Sequence, residues 1–543
     1  MRLIASSLAI AAVLATPAVA EDTPEDLSVD AAMLETDLRV LADDSMAGRE
    51  AGTKGYDMAA GYVAGRFAAL GVAPGGDDGT YFQGVPMLKI SEAEASSLTI
   101  MQDGEALLVP EAYVDFYGGG GSRAEAGEIE AELVFIGYGM DLPQYDRDDF
   151  AGVDLEGKIA VRAYGAPSWL NSEELAYYRS TIGQRLSERG AIGAILLWSP
   201  VINNILSWDD AVGSAKGDVS MTWVDEEGVP HTTAPNLQAS TVLSPDMSRQ
   251  LLEGQDFDYD DLVAAELTEG GAMPSFDMGL TAKLSWANQY ESIVTDNVIG
   301  VIPGTDPEVA DQYVVITAHL DHEGIKPTEE EGDDEIYNGA MDNATGIATM
   351  LEVARLVKET PTRRPVMFVA LTAEEKGLLG SSYNASNPIV PAEQVALNLN
   401  LDMPIVTYHF TDLNAFGAER SNVYPYVEAA VEESGMTLSP DPDPAQGLFV
   451  RSDQYSYIKQ GVPAIYLKTG FADGGEDLQR IFRTEHYHQA SDEADLIDYA
   501  ELARFAGVNY RIARNVGNMA ERPMWKAGDF FGTMFEGPML PVE

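Results

Sequence analysis

The stretch Val366-Met-Phe-Val-Ala-Leu-Thr-Ala-Glu-Glu-Lys-Gly-Leu-Leu-Gly-Ser381 constrains this chain more than any other. An apolar, partly β-branched run bounded by Pro365 and Gly377 has the pattern of a strand buried on both faces, which belongs to an α/β sheet. The run ends in two adjacent acids, Glu374 and Glu375. Sites in open α/β sheets form at the carboxyl ends of strands. Two carboxylates placed there repel each other unless a positive charge holds them, and a metal ion is the simplest candidate.

Composition narrows the function classes. The 543 residues are enough for two or three domains. The 88 acidic residues against 33 basic ones give a net charge of −55, which argues against a nucleic-acid or anionic-membrane partner. Residues 1–20 have the pattern of a secretory signal peptide: Arg2, an apolar run from Leu3 to Val13, and the small-x-small site Ala18-Val-Ala20. No later stretch has the length and apolarity of a membrane span. The chain has no Cys, so an exported protein of this sequence relies on its core rather than on disulfides. These features predict a periplasmic or extracellular enzyme.

Further along, Leu34, Leu38 and Leu41 have helical spacing, and 54–70 reads as a second amphipathic helix. Tyr117-Gly-Gly-Gly-Gly121 reads as a linker. Beyond it, short apolar runs at 133–136, 158–162 and 194–197, with a helix over 177–190, predict a small β-rich domain with one or two helices. From Asn297 the pattern becomes strand, helix, strand. Strands are expected at 313–318, 366–372, 395–399 and 464–467, a helix at 343–359 capped by Asn343, and a closing helix at 499–519. The predicted organisation is a signal peptide at 1–20, a first part of the main domain at 21–124, an inserted domain at 125–290, and the main part at 291–543. The fold class is α/β, a mixed sheet with helices on both faces.

Four further groups flank strand ends or helix starts: His319-Leu-Asp321-His322, Gly339-Ala-Met-Asp342-Asn-Ala-Thr-Gly346, Asn400-Leu-Asp402-Met403, and His486-Tyr487-His488 with Asp492. With Glu374-Glu375 they bring imidazoles and carboxylates to successive strand ends, where they can converge. Nitrogen and oxygen donors without a thiolate suit Zn²⁺, with Mn²⁺ or Co²⁺ possible. His486 lies two residues from His488 and is its rival as a ligand. His231 and His409 are assigned to structure, and the acidic run 329–335 to a solvated loop.

In this order the five motifs resemble the co-catalytic zinc peptidases of the M28 family. The segments Phe135-Ile-Gly-Tyr-Gly139, Asp154-Leu-Glu-Gly-Lys158 and Gly190-Ala-Ile-Gly-Ala-Ile-Leu-Leu197 resemble the protease-associated domain that many members insert. The resemblance implies two Zn²⁺ ions, with His319 and Asp402 on one, Glu375 and His488 on the other, and Asp342 bridging them. It implies Glu374 as the base that takes a proton from the attacking water, Asp321 as the group holding the His319 ring, and Tyr487 as a donor to the developing oxyanion. His488 is preferred over His486 because Tyr487-His488-x-x-x-Asp492 fits the family pattern, and His322 is placed near the site without binding metal. A cis bond at Asp342-Asn343 is implied as well. The function so implied is exopeptidase action on peptides, as an aminopeptidase. The alternatives are a glutamate-carboxypeptidase-like enzyme, a glutaminyl cyclase, or a binding protein of the same fold. Arg451, Arg480 and Arg483 are the cations that could anchor a substrate carboxylate. No oligomeric state is indicated.

Overall fold

The computed structural model describes residues 28–217, 219–268, 271–328 and 332–542. The expected signal peptide and residues 329–331 of the acidic loop lie outside them. Among the described residues no helix is long and apolar enough to cross a membrane.

One mixed sheet runs through the molecule. Its order is Thr437–Leu438, Asp412–Phe416, Ala464–Thr469, Val395–Asn400, Tyr313–His319, Val366–Leu371, Ser275–Ile302, Ala126–Ile136, Ile159–Ala163, Gly193–Leu197, Ala239–Leu243 and Phe116–Gly120. The strands Val366–Leu371, Tyr313–His319, Val395–Asn400 and Ala464–Thr469 are mutually parallel, so their carboxyl ends share one edge. Val366–Leu371 is buried at every position, as its unbroken apolar run requires.

Alternation along these strands builds the two flanking layers. Val314, Ile316, Phe368 and Ala370 face a large core completed by the helices Ala31–Leu41, Lys54–Leu70, Thr345–Glu359 and Tyr499–Gly517. Val315, Met367, Val369 and Leu371 face the other side, against Tyr457 of the helix Gln454–Ile458. The first helix contains Leu34, Leu38 and Leu41 on its buried face, and the second has its predicted span. Lys54–Leu70 is capped by Thr53 and ends at the left-handed Gly71.

A second core gathers Phe135, Val161, Ile195, Leu243, Leu251 and Trp286. It is joined to the first by an antiparallel ribbon of two long strands, Phe82–Gln102 and Ser275–Ile302, paired from Phe82 opposite Val298 to Met101 opposite Thr281. Leu98, Ile100 and Phe116 also enter this second core, although they precede residue 125.

Several expectations need correction. The Gly run is not a linker: Phe116–Gly120 is a strand paired antiparallel with Ala239–Leu243. Its glycines admit the indole of Trp286, since a Cβ on Gly120 would lie 2.0 Å from a Trp286 ring carbon. The expected helix at 177–190 is two helices, Ser172–Ser180 and Ile182–Glu188, meeting at Thr181. Helices at Pro200–Asn203, Trp208–Ala215, Pro245–Leu252 and Tyr259–Glu266 make this part richer in helix than the expected one or two. Their short amphipathic patterns carry little periodic signal. The 343–359 helix begins at Thr345, behind an irregular turn at 340–344. Asn343 still acts as a cap, its side-chain oxygen accepting the Gly346 N–H at 3.0 Å. Beyond the helix Tyr499–Gly517, Trp525 and Phe531, the latter on the short helix Phe530–Met534, pack into a third core with Phe449 and Tyr466.

Candidate metal centre

The shared strand edge delivers three of the groups. His319 is the last residue of its strand, Asp402 follows Val395–Asn400 by two residues, and Glu374 and Glu375 follow Val366–Leu371 by three and four. The turn after Leu371 is tight. Ala373 has a positive φ, and the N–H groups of Gly377 and Leu378 both donate to the Glu374 carbonyl. Gly380 is needed to close it, because a Cβ there would lie 2.1 Å from the Thr372 carbonyl oxygen. Asp342 comes from the turn before the Thr345–Glu359 helix, and its bond to Asn343 is cis, as the resemblance implies. His488 comes from the segment after the helix Gly475–Glu485.

These side chains converge. His319 Nε2 is 3.2 Å from Asp342 Oδ1 and 3.6 Å from Asp402 Oδ1. His488 Nε2 is 3.2 Å from Asp342 Oδ2 and 3.1 Å from Glu375 Oε2. The two oxygens of Asp342 thus face two different donor groups, one of His319 and Asp402, the other of Glu375, His488 and His322. Each imidazole nitrogen meets two carboxylates at once, and His488 Nε2 is buried without a well-formed hydrogen bond. A nitrogen and carboxylate set of this kind, drawn together without lysine or arginine between its members, fits a zinc-like cation. The residues that could hold one are His319, Asp342, Glu375, Asp402 and His488.

Electrostatics follow from this crowding. Burial opposes charge on His319, but Glu374, Asp342 and Asp402 together raise its pKa well above the usual value. Burial likewise works against His488, yet Asp342 and Glu375 push it up to about 10. Asp342 is held well below the carboxylate range: burial would raise it, and His319 and His488 prevail. Glu374 moves the other way. Its burial, with Asp453, Glu375 and Asp402 nearby, raises it well above normal against the pull of His319.

The supporting shell differs in part from expectation. Asp321 does face His319, but through its backbone carbonyl, 3.2 Å from Nδ1. Its carboxylate instead accepts the N–H groups of Glu374 at 3.0 Å and Glu375 at 3.2 Å, tying down the turn that carries both. Asp492 plays the same part for the other turn, accepting from Met341 and Asp342 N–H at 2.9 and 3.0 Å. Tyr487 lies half-exposed against the His488 ring, centroids 3.9 Å apart, and lines the cleft. His486 is turned away, its Nδ1 2.9 Å from Ser491 Oγ. His231 stacks on Trp223, and His409 pairs with Glu501 at 2.8 Å.

Sequence reasoning placed His322 near the site and passed over three other contributors. His322 sits within the donor cluster, its Nδ1 2.8 Å from Glu375 Oε1. Glu323 lies 3.3 Å from His488 Nδ1, which directs Nε2 toward Asp342. Glu323 follows directly on His319-Leu-Asp321-His322, the one signal that could have drawn attention to it. Arg49 is fully buried and donates to the carbonyls of Leu41, Leu320, Asn338 and Gly339, bracing the loops behind the site. Lys468 lines the cleft beside Asp402. No motif marks the last two.

Comparison with known proteins bears on the same segments. The family model described as Peptidase family M28 matches residues 297–513. Aminopeptidase YwaD of Bacillus subtilis is 30% identical over 150 residues, 27% of this chain and 30% of that protein. A probable leucine aminopeptidase 2 of Aspergillus fumigatus is 28% identical over 220 residues, 39% of this chain and 41% of that one. The chain spans under a third of the length of YwaD and under a quarter of two fungal proteins described as probable zinc metalloproteases. Among solved structures, an aminopeptidase from Aneurinibacillus sp. strain AM-1 aligns with TM-score 0.49 and 20% identity, over 89% of this chain and 93% of that one.

Proposed function

We propose, from the premise that residues 297–513 belong to peptidase family M28, that this protein is an exported two-zinc exopeptidase that removes residues from the amino end of peptides. The observation carrying this reading is the double donor set around Asp342, whose two carboxylate oxygens face separate histidine and carboxylate partners. The relatives described as aminopeptidases support the direction of cleavage. The inserted protease-associated domain is part of the proposal: it corresponds to the second hydrophobic core, contributes no ligand, and borders the cleft.

His319, Asp342 and Asp402 would hold one ion, and Asp342, Glu375 and His488 the other. Zinc bound there supplies Lewis acidity toward a scissile carbonyl and lowers the pKa of water. The chain's own residues do the rest. Glu374 accepts the proton of the attacking water at its carboxylate and returns it to the departing amine. Its burial and the two N–H bonds from the turn to Asp321 hold it in place. The Tyr487 hydroxyl donates to the oxygen that gains charge. Glu323 and His322 orient His488 and Glu375.

Metal analysis of the purified protein tests the count. Two zinc ions per chain, loss of activity on chelation and its return with zinc are expected. One ion would favour the cyclase alternative, and activity unaffected by chelation would end the peptidase reading. An aminoacyl-anilide compared with its N-acetylated form tests the direction, with the free amine preferred.

A further inference from the structure

Resting on the peptidase reading, we propose that the cleft beside the metal centre binds a carboxylate of the substrate through Arg451 and Lys468, so that peptides with an anionic group next to the scissile bond are the preferred class.

The cleft is lined by the metal-centre residues His319, Asp342, Glu374 and Asp402 together with Arg451 and Lys468. Lys468 stands on the strand Ala464–Thr469 and is only 4% exposed. Its ammonium donates to the Met403 carbonyl at 2.8 Å, which leaves further N–H donors for a ligand. Arg451 is exposed, and its guanidinium contacts the Gln446 amide oxygen at 3.2 Å. Arg483, behind them, bonds the amide oxygen of Gln479 at 3.0 Å. Each of these three cations thus meets a neutral oxygen, and no ion pair with a carboxylate is found for any of them among the described residues. Burial, with Arg451 and Arg483 adding to it and Asp402 opposing it, pushes the Lys468 ammonium down to about 8.

A buried ammonium without a counter-charge is costly. In the metal-free protein Asp402 and Asp342 partly balance it. The ligand carboxylates Asp342, Glu375 and Asp402 carry charge that two divalent ions would more than neutralise. With those ions present, Lys468 and Arg451 become the uncompensated charges of the cleft, and their complement is an anion. The net charge of −55 does not defeat this, because charges beyond about 10 Å are largely screened at physiological salt. Arg480, the third sequence candidate, pairs with Asp477 at 3.0 Å and takes no part.

The carboxylate could belong to an acidic side chain or to a peptide carboxyl terminus. Matched pairs separate these sources in the zinc-loaded, full-length protein: glutamyl- against glutaminyl-anilide, alanyl-glutamate against alanyl-glutamine, and an N-blocked dipeptide against its amide. A preference of about tenfold or more for the acid is expected in at least one pair, the worth of one hydrogen bond to a charged group. Arg451→Gln should bring that ratio toward one, and Arg451→Lys should restore part of it. Calorimetric titration with glutarate gives a readout independent of turnover, with binding to the metal-loaded protein weakened by Arg451→Gln. Equal rates or preference for the neutral partner in every pair would overturn the inference. If no peptide is cleaved at all, the peptidase reading falls and the glutarate titration decides alone: Arg451-dependent binding supports the carboxylate site, and its absence refutes it.

Discussion

Glu374 and Glu375 are neighbours in sequence with opposite electrostatic fates. Burial and surrounding carboxylates raise Glu374, whereas His322 and His488 prevail over burial and Asp342 to lower Glu375. The same substitution should therefore act differently at each. Glu374→Gln is expected to keep both metals and lose about 10²–10⁴-fold or more in turnover. Glu375→Gln is expected to lose metal from one site, read by metal analysis. The reverse pattern would mean that base and ligand are exchanged. Away from the site, burial pushes the Glu266 carboxyl up to about 7, with the Ser199 hydroxyl offsetting part of the shift. The unfolded chain gives up this proton near pH 4.5. Stability from this group is then full below pH 4.5 and lost as pH rises through about 7. Thermal melts from pH 5 to 8 should fall less steeply for Glu266→Gln than for the parent; identical slopes would refute the assignment.

At the scale of elements, the site depends on turns more than on helices or strands. Asp321 and Asp492 each accept two consecutive or nearby backbone N–H groups and so fix the turns carrying Glu374, Glu375 and Asp342. The strand Phe116–Gly120 depends on close approach in a different way. Trp286 lies over Gly120 and donates its indole N–H to the Ala124 carbonyl at 3.2 Å. Gly120→Ala should destabilise the protein by about 1–3 kcal/mol through overpacking. Denaturant titration of Gly120→Ala, Trp286→Ala and the double variant should give a non-additive sum, because the ring and the methyl group compete for one space. Additive costs would show that the two residues do not meet.

For the whole molecule, the large acid excess sets the response to salt. With −55 net charge the folded chain repels itself, and screening relieves this. Raising NaCl from 0.1 to 1 M shortens the screening length from about 10 to about 3 Å. The melting temperature should rise by a few degrees over that range, most of it at the low end. A fall would mean that local ion pairs such as Arg66 with Asp37, 2.7 Å apart, outweigh the global repulsion. The two cores share the ribbon of Phe82–Gln102 and Ser275–Ile302, so no short linker separates them.

The sequence alone determined the buried strands, the helices around the first core and the five candidate ligand motifs. Each is written in a local pattern: unbroken apolar runs, helical spacing, and imidazoles or carboxylates beside glycines at strand ends. Tertiary structure alone decided which atoms meet. That Asp321 reaches His319 by its carbonyl and spends its carboxylate on the next loop depends on two strands lying parallel, which no spacing records. The glycine run looked like a linker because the reason for its glycines, Trp286, lies more than 160 residues away. Lys468 and Arg49 carry no motif, since a lone cation acquires meaning only from what the fold packs around it: a cleft shared with Arg451 and the metal-centre carboxylates for one, and four carbonyl oxygens for the other.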